Sequence, residues 1–283
     1  MATQKLRFNT AKQSLHYGPF ALVTGASSGI GRAFAIELAQ QGYSLVLTSR
    51  RKNELDDLAA ELRNRNGIQA IAIQADMGIP ADIASLIETC KSIDIGLLVA
   101  AAGFGSSGAF LNCPIAGEMN MVDVNCRAVL ALAHSFGQRF VAQKRGGIVL
   151  LSSLVAFQGV ALSANYAATK AYVQSLAEAL HIELKASGVD VIACALGPIA
   201  SGFATRAGMV MGMSQTPVVV ARATLKALGR KTTVRPGYLS KLLEASFTGL
   251  PRSARVSIMS RVMKGMAARR PYDAVVVNSG DPS

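Results

Sequence analysis

The 283-residue chain is short of the features that build metal centres and disulfide frameworks. Its four cysteines, Cys90, Cys113, Cys126 and Cys194, stand far apart with no Cys-x-x-Cys pair, and its three histidines form no cluster with them. Free thiols and no metal site are expected. Charge is scarce as well, at 16% against 51% apolar residues, so the chain can bury a large core as one domain spanning residues 1–283. An uncharged stretch at residues 146–169 raises the question of a membrane span, but Gly, Ser, Gln and Asn interrupt it. Residues 1–17 carry Lys5, Arg7 and Lys12 without an apolar core segment, unlike a secretory signal, and a cytoplasmic location is expected. No internal repeat or low-complexity linker divides the sequence.

Acids are what the end of the chain lacks. From residue 201 onward there are 13 Lys or Arg against 3 Asp or Glu, whereas residues 1–200 hold 16 against 14. Most of the net charge of +12 therefore sits in the tail. No nucleic-acid recognition motif accompanies it, so no nucleic-acid partner is expected.

What the chain does have is Tyr166-Ala167-Ala168-Thr169-Lys170, which stacks a phenol and an ammonium on one face of a helix. An ammonium nearby favours the phenolate and lowers the tyrosine pKa from its usual value of about 10. Such a tyrosine can exchange a proton with a carbonyl or alcohol oxygen. Ser153 lies thirteen residues upstream, after the apolar run 148–151, where a buried parallel strand delivers its hydroxyl to the carboxyl edge of a sheet. Near the front, Thr24-Gly25-Ala26-Ser27-Ser28-Gly29-Ile30-Gly31 follows the apolar run 20–23. A glycine loop can be a mere turn, but a strand before and a helix after it make an anion cradle: backbone amides face a phosphate, and glycines let it approach.

These three pieces, in this order across residues 18–240, resemble the short-chain dehydrogenase/reductase family. The resemblance implies an α/β fold of the Rossmann-type doubly wound kind. Its mostly parallel seven-stranded sheet has helices on both faces, here with a helical C-terminal extension. Strands are expected at 21–24, 44–48, 70–73, 96–100, 148–151, 189–195 and 232–234. Helices are expected at 30–40, 53–65, 116–143, 166–185 and 216–228, then at 238–247 and 253–268 in the tail. The implied catalytic residues are Asn125, Ser153, Tyr166 and Lys170. Ser153 holds the substrate oxygen, Tyr166 protonates it, Lys170 also bonds the nicotinamide ribose, and Asn125 holds a water on the proton relay through a locally bent helix.

Cofactor contacts are implied for Gly25, Ser27, Ser28, Gly29, Ile30 and Gly31 in the loop, and for Tyr166 and Lys170. Where the second strand ends, an acid would bond a ribose 2′-hydroxyl; this chain has Ser49-Arg50-Arg51, whose guanidinium groups suit a 2′-phosphate. One of the pair could be a solvated bystander, but NADP(H) is the expected cofactor. Asp76 resembles the family's adenine-edge acid, with Met77 beside it. Ala102 and Gly103 follow the fourth strand, and Ala101 stands where the family usually has Asn. Gly197, Pro198, Ile199 and Ser201 resemble the segment at the nicotinamide carboxamide.

The expected activity is NADP(H)-dependent hydride transfer, in the reductive direction, between nicotinamide and a carbonyl or secondary alcohol. A ketone, a ketosteroid or a 3-oxoacyl thioester fits the branch that the Tyr17-Gly18 lead-in and the basic tail resemble. The alternative is a cofactor-bound binding or regulatory protein with the same fold. Residues 199–229, rich in Gly and Met between 202 and 215, suit a substrate lid. Residues 1–17 read as an N-terminal extension and 238–270 as a basic helical one. In the second tail helix Val256, Met259, Val262, Met263 and Met266 line one side, with Arg261 and Lys264 opposite. That helix either packs over the substrate entrance or offers a peripheral membrane or acidic carrier a landing surface. Besides a small-molecule substrate, the expected partner is a second copy, as a homo-oligomer.

Overall fold

Apolar runs without polar alternation form strands covered on both faces. The computed structural model describes residues 16–199, 215–237 and 249–267, and these hold seven strands. They are β1 (Phe20–Thr24), β2 (Ser44–Ser49), β3 (Ala70–Gln74), β4 (Ile95–Ala100), β5 (Gly146–Ser153), β6 (Val189–Leu196) and β7 (Thr233–Val234). All pair in parallel, in the order β3-β2-β1-β4-β5-β6-β7. The chain builds outward from β1 in one direction and then restarts beside it with β4. The crevice beyond the carboxyl ends of β1 and β4 is the switch point where such sheets bind ligands.

Helices cover both faces. One apolar cluster joins the sheet to α1 (Gly29–Gln40) and α2 (Lys52–Asn66) through Phe34, Leu38, Leu55 and Leu62. The other joins it to α3 (Pro80–Thr89) through Leu86 and to the helical run that begins with α4 (Ile115–Val122) and continues as α5 (Ala128–Gln143). In that run Leu132, Phe136 and Phe140 are buried, and Val173 and Ala177 of α6 (Ala164–Lys185) complete the cluster. α7 (Pro217–Ala227) returns to the first face through Val220 and Leu225, and α8 (Arg252–Ala267) follows.

Three local features add to the sequence expectation. The local bend expected at Asn125 within the 116–143 helix is a π-turn at Asp123–Arg127, a one-residue widening of the kind frequent at functional sites, which divides the helix in two. α3 was not anticipated, although Pro80 at its first turn is a standard start signal. Tyr17, the last residue of the expected extension, is packed into the body: it is buried, and its hydroxyl donates to Asp190 Oδ2 at 2.7 Å. Arg145 donates to the Tyr17 carbonyl at 2.9 Å and pairs with Asp94, tying the lead-in under the amino edge of the sheet. The helix expected at 238–247 and residues 200–214 of the expected lid, Ser201 among them, lie outside the described residues. Among the described residues, no helix is long and apolar enough to cross a membrane.

Candidate active site

β5 ends at Ser153 and its continuation, a 3-10 turn over Leu154–Phe157, leads to α6 and Tyr166. The buried Ser153 and Tyr166 hydroxyls bond each other. Ser153 Oγ also donates to the Leu196 carbonyl at 3.3 Å and accepts from Val155 N at 3.4 Å, so its position is fixed from two sides. Lys170 lies one turn along α6, buried, with Nζ 5.8 Å from the centre of the Tyr166 ring and donating to the Leu151 carbonyl at 2.8 Å. Ser152, its neighbour in β5, bonds the Lys170 carbonyl and holds the helix against the strand.

Burial dominates the electrostatics and corrects one expectation. It pushes the Tyr166 phenol up to about 12, with the Ser153 hydrogen bond acting in the opposite direction. The same desolvation lowers the Lys170 ammonium to about 8, against a smaller upward pull from the Cys126 and Cys194 thiols. The net lowering of the phenol by Lys170 is thus not seen here, because the ring is desolvated and the ammonium is turned to Leu151.

Asn125 sits in the π-turn, 1% exposed, with its side chain fully engaged. Nδ2 donates to the Phe104 carbonyl at 2.8 Å and to Thr169 Oγ1 at 3.1 Å, while Oδ1 accepts from Phe104 N at 3.1 Å. Its side chain therefore clamps the loop after β4 to the tyrosine helix. Gly103 lies between: a Cβ there would stand 3.0 Å from Asn125 Oδ1 and 3.5 Å from Lys170 Nζ.

The glycine loop fits a dinucleotide cradle. Gly25 has φ +65°, and a Cβ on it would come to 2.9 Å from Ala102 Cα. At Gly31 a Cβ would reach 2.3 Å from the Gly25 carbonyl oxygen. Only glycine lets these backbones approach, leaving the amino end of α1 open to an anion. Ser28 begins that helix without spending its hydroxyl on a cap, and Gly29 and Ile30 form its first turn. Arg51 Nη2 donates to Ser27 Oγ at 3.0 Å, which places a guanidinium over the loop. Arg50 instead lies 3.7 Å from Asp76 Oδ2, and the other Asp76 oxygen accepts from Gly78 N at 2.8 Å. Met77 is buried beside it. Past β6, Gly197 and Pro198 lead to Ile199, which is buried and paired with Gln215.

Five residues carried little or no signal in the sequence. Thr24 Oγ1 accepts from Ala102 N at 3.0 Å and ties β1 to β4 where Ala101 stands, while Ala101 packs against the apolar cluster. Thr169 donates to the Tyr166 carbonyl at 2.8 Å and receives Asn125. Ser106 donates to the buried Glu118 carboxylate at 2.7 Å, and Asn165 Nδ2 donates to the Glu118 carbonyl at 2.9 Å. Thr24 and Thr169 sit inside the motifs already singled out; a lone Ser and a lone Glu give no pattern.

Comparison with known proteins gives this geometry a family. The short chain dehydrogenase family matches residues 19–209, well over half of the chain. The chain belongs to that family. This short-chain dehydrogenase is 27% identical to a 7beta-hydroxysteroid dehydrogenase of Collinsella aerofaciens, over 80% of its own length and 88% of the relative's. It is 30% identical to a very-long-chain 3-oxoacyl-CoA reductase of Phaeosphaeria nodorum, over 75% of its length but 64% of that protein's. Among solved structures, a short-chain dehydrogenase from Sphingobium yanoikuyae in complex with NADPH superposes with a TM-score of 0.73 at 30% identity, covering 92% of this chain and 99% of that one. As a member of the family, the protein is an oxidoreductase that uses NAD(P) on a small-molecule carbonyl or alcohol.

Proposed function

We propose that this short-chain dehydrogenase is an NADPH-dependent carbonyl reductase in which Ser153, Tyr166, Lys170 and Asn125 form the working site. The observation that carries the reading is the bonded Ser153–Tyr166 hydroxyl pair at the carboxyl edge of the sheet, backed by buried Lys170. A dinucleotide bound across the switch point would supply the hydride. Ser153 holds the carbonyl oxygen by hydrogen bond, and Tyr166, neutral because it is buried, donates its proton to that oxygen as negative charge develops. Lys170 places a cation behind the phenol and within reach of a ribose. Asn125 keeps the loop after β4 and the tyrosine helix in register.

The preference for NADPH rests on Arg51, whose guanidinium bonds Ser27 of the phosphate loop, with Arg50 beside Asp76 as a second cation. Gly197, Pro198 and Ile199 line up after β6 for the nicotinamide end. The named relatives act on a hydroxysteroid and on 3-oxoacyl-CoA, and these support a bulky ketone or 3-oxoacyl substrate. Screening NADPH and NADH oxidation against ketosteroids, β-keto esters and acyl thioesters tests the reading. Tight NADPH binding with no turnover of any carbonyl would favour the binding-protein alternative.

Assembly as a homo-oligomer follows from the same family reading and from apolar side chains left on α4 and α6. Ile115 is 69% exposed, Met119 56% and Ile182 70%. Light scattering giving a monomer mass at micromolar concentration would remove it.

A further inference from the structure

The face of α8 turned to the body of the protein carries a cation among its apolar side chains. Met259 and Met263 are buried, and Arg255 and Val256, one turn earlier, are half-buried on the same side. This face rests on the segment between the two catalytic hydroxyls. Ala161 N donates to Ser260 Oγ at 3.3 Å, and a Cβ on Gly159 would stand 3.8 Å from a Val256 methyl. α8 therefore covers the wall that runs from Ser153 to Tyr166.

Arg255 Nε is closed to solvent and has no hydrogen-bond partner among the described residues. Arginine stays charged, and a buried donor without an acceptor is costly. Its own segment offers no counter-charge, since residues 249–267 contain no Asp or Glu. A second guanidinium flanks the same wall: that of Arg235, past β7, lies 4.5 Å from the centre of the Phe157 ring, at the end of the turn that begins after Ser153. Guanidinium groups match planar oxyanions with paired hydrogen bonds.

The geometry points to an oxyanion subsite for the far end of the substrate, with Arg255 as its main contact and Arg235 along the same wall. The molecule reduced then carries a carboxylate or phosphate remote from its carbonyl. This deepens, and rests on, the carbonyl-reductase reading above.

The test uses one long-chain ketone skeleton bearing a terminal carboxylate, a terminal phosphate or the neutral methyl ester, with NADPH in excess. For the wild-type enzyme the better oxyanion should exceed the ester in kcat/KM by on the order of tenfold or more, and the winner identifies the group. Arg255→Gln should bring that ratio to near one, whereas Arg261→Gln, on the exposed side of α8, should keep it. In wild type alone the ratio should shrink as NaCl is raised, a reading that stands even if the Arg255 variant fails to fold. A wild-type ratio near one, a ratio untouched by salt, or a ratio retained by folded Arg255→Gln overturns the subsite while leaving the carbonyl-reductase reading in place. No turnover of any ketone, charged or neutral, removes both.

Discussion

The hydroxyls of Ser153 and Tyr166 bond each other at the gap between β5 and α6, and this bond opposes the burial that holds the phenol at about 12. A proton donor that is neutral at every working pH has no difficulty being protonated; its difficulty is giving the proton up. A partner that stabilises the phenolate is therefore the useful one, and Ser153 supplies part of that stabilisation.

Tyr166→Phe keeps the ring and removes the proton. Turnover should fall by roughly 10²–10⁴-fold, the usual contribution of a positioned acid, with little change in NADPH affinity. Stopped-flow reduction and fluorescence of bound NADPH measure the two separately. Ser153→Ala should lower kcat too, and should raise the tyrosine pKa further, because the bond that favours the phenolate is gone. Most of the wild-type rate surviving in Tyr166→Phe would end the mechanism.

The pH dependence of kcat/KM for NADPH reports groups of the free enzyme. Lys170 is lowered to about 8 by burial, while Tyr166 at about 12 stays neutral throughout the accessible range. The cation is present below about 8 and is lost as pH rises through that value. kcat/KM should thus be level in the acid limb and decline above pH 8, and Lys170→Met should be low at all pH. For stability the sign is opposite: the unfolded lysine holds its proton up to its ordinary 10.5, so raising pH from 8 toward 10.5 favours the folded state through this group. A profile flat from pH 7 to 10 would show that the Lys170 charge is not used.

Arg51 and Arg50 should differ in their effect on cofactor choice. Arg51 reaches Ser27 in the phosphate loop, whereas Arg50 is beside Asp76. A charge-assisted contact contributes about 1.5–3 kcal/mol, so Arg51→Ala should lower the NADPH-to-NADH preference by on the order of ten- to hundredfold. Arg50→Asp should move the preference the same way, while also setting a second carboxylate beside Asp76. If both variants keep the wild-type ratio, the arginines are solvated bystanders.

Gly25→Ala should damage both stability and cofactor binding. The residue sits at φ +65° and an added Cβ meets backbone, not a flexible side chain, at Ala102. Thermal unfolding with and without NADPH separates the two losses, and a variant that keeps the wild-type Tm and NADPH shift would refute the close-approach argument.

Much of this arrangement was legible in the sequence because it is local or periodic. The strands are apolar runs, the glycine loop must follow one of them, and Tyr166 and Lys170 share a helix face by spacing alone. What was not legible depends on distant partners. The clamp of Asn125 on Phe104 and Thr169 spans 21 and 44 residues, and the π-turn that presents Asn125 has no composition signature. The direction of the Tyr166 shift was misjudged because an ion pair can be read from spacing, whereas desolvation depends on everything packed around the ring. The anchoring of Tyr17, last residue of the expected extension, was not legible because its partner, Asp190, lies 173 residues away.

The amphipathic stripe of the last helix was half right, and the difference makes a prediction. Met259 and Met263 are 8% and 5% exposed, but Val262 is 42% exposed and lies outside the contact, with Arg261 and Lys264 also on the exposed side. The helix bonds Ala161 and packs toward Gly159, so its apolar face rests on the segment between Ser153 and Tyr166. Truncating a buried methionine costs about 2–5 kcal/mol where the site cannot collapse. That cost falls on the docking of α8, so Met259→Ala and Met263→Ala should raise KM for the carbonyl substrate more than they lower kcat. Replacing Arg261 and Lys264 with Gln leaves the packing intact and should change neither constant. If those two charges instead serve a membrane or an acidic carrier, their replacement should weaken binding to anionic vesicles or to the carrier at low salt, where screening is least. Methionine variants with wild-type KM, together with charge variants that lose vesicle binding, would assign α8 to docking and not to the pocket.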